Sequence, residues 1–232
     1  MNKLFLSGGG DNEEFEFHKK FFDLLPNKKF IYIPVAMEGS KKYPYPKCYE
    51  WIMGTFSEVA GSSKFEIKMV TDLGRVDIEY LRSYSGIYIG GGNTYKLLRN
   101  IKNMGFDVIL KEFLQNYGPI YGGSARAIIF GKNIETSGDE NNINYKETDG
   151  LNMLRDLSVV CHYEGTDKEK TKIIEFFRKH KSGVIALPKG TGLVVSDKKV
   201  EVIGKESATA FLLTGFPFEI SKGKINFENH FK

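Results

Sequence analysis

The chain has 232 residues, 41% of them hydrophobic and 13% aromatic, which suffices for a buried core in one α/β domain or two small ones. Its 33 basic and 29 acidic residues are interspersed, so the net +4 forms no block of the kind that grips nucleic acid or a membrane surface. Only Cys48 and Cys161 occur, in no C-x-x-C pattern, the opening residues lose apolar character too soon for a signal peptide, and no stretch reaches the ~20 apolar residues that span a bilayer. These features point to the reducing cytoplasm, and the lack of His or Cys pairs at ligand spacing argues against a metal centre.

Short apolar runs alternate with amphipathic ones. Leu4 to Leu6 reads as a strand closed by Gly8-Gly9-Gly10, followed by a helix from about Glu13 to Leu25. Phe30 to Val35 is a second strand, Tyr43 to Pro46 a surface loop, and Lys47 to Val59 a second helix. Phe65 to Val70 reads as a strand, Ile78 to Leu81 as a helical turn, and Gly86 to Ile89 as a buried strand entering Gly90-Gly91-Gly92-Asn93-Thr94, with a helix from about Tyr95. A helix over Val108 to Tyr117 precedes Pro119-Ile120-Tyr121, a short strand that ends in Gly122-Gly123-Ser124 ahead of the helical run Ala127 to Phe130. Lys132 to Gly150 is a long irregular segment carrying several acids. The remainder gives a strand over Leu157 to Cys161, a helix over Asp167 to His180, and closely spaced strands at Gly183 to Leu187, Gly192 to Ser196 and Val200 to Gly204. No linker or repeat interrupts this order, so the expectation is an α/β fold: a single domain over residues 1–232, built on a mainly parallel sheet with hairpin strands near the C-terminus.

In such a sheet ligands bind beyond the carboxyl ends of the strands, where this chain puts the Gly-rich turns after Ile89 and Tyr121. A serine in a sharp turn between strand and helix has its Oγ lifted into solvent, and the N–H after it, here that of Ala125, is placed to stabilise an oxyanion. Ser124 needs a base to act as nucleophile. His18, on the charged side of an early helix, His180, among Arg178, Lys179 and Lys181, and His230, near the end, read as solvated. His162 closes a strand that parallel packing would bring to the same sheet edge as Ser124, and is either that base or a satisfied strand-end histidine. Cys161 reads as core, because successive strand side chains point to opposite faces. The two turns also admit a nucleotide site, but neither carries a Walker lysine or the full dinucleotide fingerprint.

Taken together, Gly90-Gly91-Gly92-Asn93-Thr94-Tyr95, then Gly123-Ser124-Ala125-x-Ala127, then a strand-end His162, resemble the dipeptidase E and cyanophycinase-like serine peptidases. The resemblance runs from the opening Leu-Ser-Gly-Gly-Gly to Leu187-Pro188-x-Gly190. It implies a fold similar to the class I glutamine amidotransferase-like, flavodoxin-like three-layer domains, with helices on both faces of the sheet. It further implies hydrolysis of dipeptides or short peptides, including N-terminal Asp-X, through a Ser-His-Asp triad and an acyl-enzyme, with no cofactor and a monomer or homodimer as the assembly. By position Ser124 is the nucleophile, His162 the base and Asp139 the acid, with Glu140 as its possible substitute. The Gly91 N–H, in the turn shared with Gly92, is the second oxyanion donor, and Asn93 holds that turn or caps the helix at Thr94. Where the family's pattern has glycine two residues after the nucleophile this chain has Arg126, which must snorkel outward or push the helix away, or else line the pocket and bind a substrate carboxylate. The alternative reading is a hydrolase-like binding protein whose turnover Arg126 has impaired. Lys189 stands where relatives often carry an acid.

Overall fold

The computed structural model describes residues 2–10, 14–197, 199–212 and 217–226. The elements are β1 (Leu4–Ser7), α1 (Phe15–Asp23), β2 (Lys29–Ile33), α2 (Tyr45–Ala60), β3 (Glu66–Met69), α3 (Ile78–Leu81), β4 (Gly86–Ile89), α4 (Thr94–Asn103), α5 (Phe106–Asn116), β5 (Ile120–Gly123), α6 (Ala125–Ile128), β6 (Ser158–Cys161), α7 (Asp167–His180), β7 (Val184–Leu187), β8 (Thr191–Val195), β9 (Lys199–Gly204), β10 (Ala208–Phe211), β11 (Phe218–Ile220) and β12 (Gly223–Asn226). The main sheet has eight strands in the order β12-β9-β8-β1-β5-β4-β2-β3. From β1 to β3 the neighbours are parallel, whereas β8, β9 and β12 join by antiparallel pairing.

Alternation along the parallel strands sorts the side chains into two different cores. Leu4, Leu6, Ile31, Ile33, Ile87, Ile89 and Ile120 point to one face, where α4, α5 and α6 cover them with Leu97, Leu98, Ile101, Leu110, Phe113 and Ile128. Phe5, Phe30, Tyr32, Tyr88 and Tyr121 point to the other, where α1 and α2 supply Phe17, Phe21, Phe22, Ile52 and Phe56. One face is thus largely aliphatic and the other aromatic. The stacked pair Tyr88 and Tyr121, with ring centroids 4.5 Å apart, lies at the centre of the aromatic face.

In one respect the arrangement differs from the single sheet expected. β6, β7, β10 and β11 form a second sheet in the order β11-β10-β7-β6. Its inward residues Val159, Ile185, Leu187, Ala208 and Ala210 join the aliphatic core, while Val184, Ala186 and Phe211 pack against Ile173 and Phe176 of α7. The short strand Ala208-Thr209-Ala210-Phe211 becomes legible as a strand through its antiparallel partners β7 and β11.

Candidate active site

The register of the parallel strands assembles the site. Ser7 at the end of β1 pairs with Gly123 at the end of β5, and Ile89 of β4 pairs with Gly122, so three strand ends meet at one edge. The chain turns sharply at Ser124, whose φ of 56° and ψ of −127° lie outside the ordinary regions for an L-residue. Its N–H is held by the Ser7 carbonyl at 2.8 Å. Ser124 is half-buried and His162 exposed. Ser124 Oγ and His162 Nε2 stand 2.6 Å apart, a short hydrogen bond on an edge open to substrate.

His162 reaches this edge from the second sheet, not from the sheet that carries Ser124, as its strand order had suggested. A bracket formed by the loop after β1 makes the meeting possible. The His162 N–H bonds to the Gly8 carbonyl at 3.1 Å, while Ser7 holds Ser124. His162 too has a positive φ, 56°. The ring lies directly over Gly9, where φ is 89° and an added Cβ would come within 2.4 Å of His162 Cε1. Cys161 is part-buried beneath the turn, its thiol directed at the Ser124 carbonyl (3.4 Å) and the Ser7 carbonyl (3.7 Å). Burial pushes the Cys161 thiol pKa up, so it stays protonated.

The turn after β4 stands on the other side of Ser124. An added Cβ on Gly92, at φ 134°, would meet the Ala36 carbonyl at 2.5 Å, so only glycine fits. The N–H groups of Gly91 and Ala125 donate to no described residue. Asn93 takes the second of its two expected roles, capping α4 by accepting from the Lys96 N–H at 3.1 Å, and it also donates to the Glu140 carbonyl at 2.9 Å.

Asp139 sits at the start of α4, where its Oδ2 accepts from the Thr94 N–H at 2.7 Å and the Thr94 hydroxyl at 2.6 Å. The reason is physical: an unsatisfied N–H at the start of α4 offers a carboxylate both a donor and the positive end of the helix dipole. Asp139 and Glu140 thereby tie the long loop to the Gly-rich turn.

Arg126 neither snorkels outward nor pushes the nucleophile from its base. Its guanidinium turns inward, Nη1 donating to the Ile89 carbonyl at 3.3 Å and Nη2 lying where a Cβ on Gly91 would come within 2.8 Å. Nε is sealed from solvent and lacks a hydrogen-bond partner. Burial works against its charge, but Tyr88, Glu14, Tyr121 and Tyr32 outweigh that effect and raise its pKa.

Two members of this buried cluster were not visible as site residues in the sequence. Glu14, 6% exposed, accepts hydrogen bonds from the Ser7 hydroxyl and, at 3.2 Å, from Tyr121. The Ser7 hydroxyl in turn accepts from the Gly9 N–H at 3.0 Å, so Glu14 fixes the loop that brackets Ser124 and His162. His18, expected in solvent, is 2% exposed with Nε2 3.0 Å from the Tyr88 hydroxyl. Burial, with a further contribution from Arg126, pushes its pKa down to about 3. The signal was the helical period, which puts Glu14 and His18 on the same face as Phe21 and Phe22. His180 likewise is not simply solvated: it stacks on Phe176 and bonds to Glu135 at 2.7 Å. His230 lies outside the described residues.

The chain is similar to several known proteins. The model of peptidase family S51 matches residues 4–203. The probable alpha-aspartyl dipeptidase of Drosophila melanogaster is 29% identical over 150 residues, covering 61% of this chain and 62% of that protein. Peptidase E of Pasteurella multocida is 27% identical over 141 residues, 57% of this chain and 60% of its own length, so the chain spans about three fifths of each. An uncharacterized peptidase of Listeria monocytogenes is 31% identical over 188 residues, covering 78% of this chain and 88% of that one. In fold, the crystal structure of a peptidase from an acI-B1 actinobacterium superposes with a TM-score of 0.72 over 97% of each chain at 19% identity. That of a putative peptidase E from Listeria monocytogenes superposes with 0.68 at 20% identity, over 89% of this chain and 100% of that one.

Proposed function

The chain belongs to peptidase family S51, and on that premise we propose that it is a serine-type peptidase hydrolysing dipeptides or short peptides through an acyl-enzyme. The observation that carries this reading is the 2.6 Å contact between Ser124 Oγ and His162 Nε2 at an exposed strand edge. Ser124 attacks the scissile carbonyl while His162 takes its proton. The developing oxyanion meets the N–H groups of Ala125 and Gly91, and His162 then protonates the leaving amine and activates water for deacylation. Neither step calls on a cofactor. Arg126 supports the site from beneath: its inward guanidinium leaves Ser124 and His162 in contact, which favours an active enzyme over a binding protein with lost turnover. Among the described residues no helix is long and apolar enough to cross a membrane.

The test is hydrolysis of a dipeptide panel, with Asp-Leu included because a relative bears the aspartyl dipeptidase name. Turnover by the wild type that falls by about 10⁴-fold or more in Ser124→Ala and in His162→Ala is the expected result. Turnover that survives both substitutions would assign the chemistry elsewhere.

A further inference from the structure

A cavity of about 620 Å³ has its wall made by Tyr32, Met37, Tyr43, Trp51, Gly91 of the turn after β4 and Arg126, two residues after Ser124. That volume is within the usual range for small-molecule sites. Two of its aromatic side chains are unusually open for their type, Trp51 at 38% and Tyr43 at 46% exposure. They come from separate segments, Trp51 from α2 and Tyr43 from the loop before it. Large apolar side chains that converge on a cavity while remaining in contact with water are the mark of a surface that binds.

Topology says which part of a substrate enters. In the sheet β5 lies between β1 and β4. His162 is tied to the loop after β1, whereas Gly91, and with it the cavity, follows β4, so base and cavity flank Ser124 on opposite sides. A base that protonates the leaving amine has the leaving residue on its own flank. The cavity therefore takes the side chain of the acyl residue, the first residue of a dipeptide.

Charge and size say what that side chain is. Nη1 of Arg126 already donates to the Ile89 carbonyl, and the other charged residues of the wall, Lys47 and Glu50, are of opposite sign. What the guanidinium offers an occupant is a planar face that stacks on a ring, beside the aromatic wall. A short carboxymethyl side chain would leave most of the volume and the aromatic wall untouched. A ring fills the space and stacks.

We propose that the Tyr32, Tyr43, Trp51 and Arg126 cavity is the subsite for a large aromatic first residue, and that the chain prefers Phe-X, Tyr-X or Trp-X dipeptides to Asp-X. The assignment to the acyl side rests on the hydrolytic reading above; the existence of the subsite does not. Two measurements separate them. The first is kcat/KM of the wild type and of Trp51→Ala and Tyr43→Ala for Phe-Leu, Asp-Leu and Ala-Leu. The second is calorimetric affinity of Ser124→Ala for the same peptides. Phe-Leu is expected to exceed Ala-Leu and Asp-Leu by on the order of ten- to a hundredfold in both, with the ratio collapsing toward one when Trp51 or Tyr43 is truncated. Turnover without aromatic preference, or with Asp-Leu favoured, overturns the subsite while leaving the peptidase reading standing. Aromatic-selective binding to Ser124→Ala without turnover by the wild type does the reverse. Equal affinities that Trp51→Ala leaves unchanged refute the subsite outright.

Discussion

At the level of single residues, Ser124 and His162 are legible in the sequence because their setting is local: a strand, a glycine-flanked turn and a following helix in one case, a strand end in the other. What the sequence does not disclose is how they meet. Both are held in left-handed backbone by one loop, and within that loop Gly9 lies against the imidazole. Gly9→Ala combines an unfavourable φ with a Cβ 2.4 Å from the ring, so His162 must move. A displacement of about 1 Å costs roughly a hundredfold in rate. The expected outcome is a folded protein with kcat down by about that factor and little change in KM; unchanged kcat would mean that the ring does not need its present position.

The elements themselves were largely readable, from β1 to β9, because each carries its own period or its own Gly and Pro boundaries. The roles of particular side chains on connecting segments were not. Asp139 has the sequence position of a triad acid, yet the backbone N–H at the start of α4 claims its carboxylate. A local rule for helix starts names Asn93 as the cap, and no local rule reaches across the chain to Asp139. Asp139→Asn retains an acceptor for Thr94 and removes only charge. It is expected to cost about 1 kcal/mol of stability in urea titration and to keep kcat within about tenfold of wild type. Loss of a triad acid costs about 10⁴-fold, and a fall of that size would return Asp139 to the catalytic machinery.

For the molecule as a whole, the alternation of apolar runs and helices announced a mainly parallel α/β sheet, which is what forms. The second sheet was hidden because β10 and β11 are short strands with little pattern of their own, and they join it only where β10 pairs with β7. The aromatic core was hidden too, since α1 looks charged along its length and its buried face appears only at helical period. That core sets a pH dependence for folding. The His18 pKa is about 3 in the folded state against 6.5 in the unfolded chain. Above pH 6.5 neither state carries the proton and nothing is lost. As pH falls from 6.5 toward 3 the unfolded chain takes up a proton that the folded one refuses, and stability declines by up to about 1.4 kcal/mol per unit. Urea midpoints measured at pH 7 and pH 5 are expected to fall for the wild type and to fall less for His18→Gln; equal slopes would mean that His18 is not held neutral.

The central claim is that Ser124 is a nucleophile activated by His162, and active-site labelling reads it without knowledge of the substrate. Intact-mass analysis after exposure to a fluorophosphonate should find a single adduct on the wild type, mapped to Ser124, absent from Ser124→Ala and slowed by orders of magnitude in His162→Ala. A folded wild-type protein that remains unlabelled, or that is labelled equally well in His162→Ala, would contradict it.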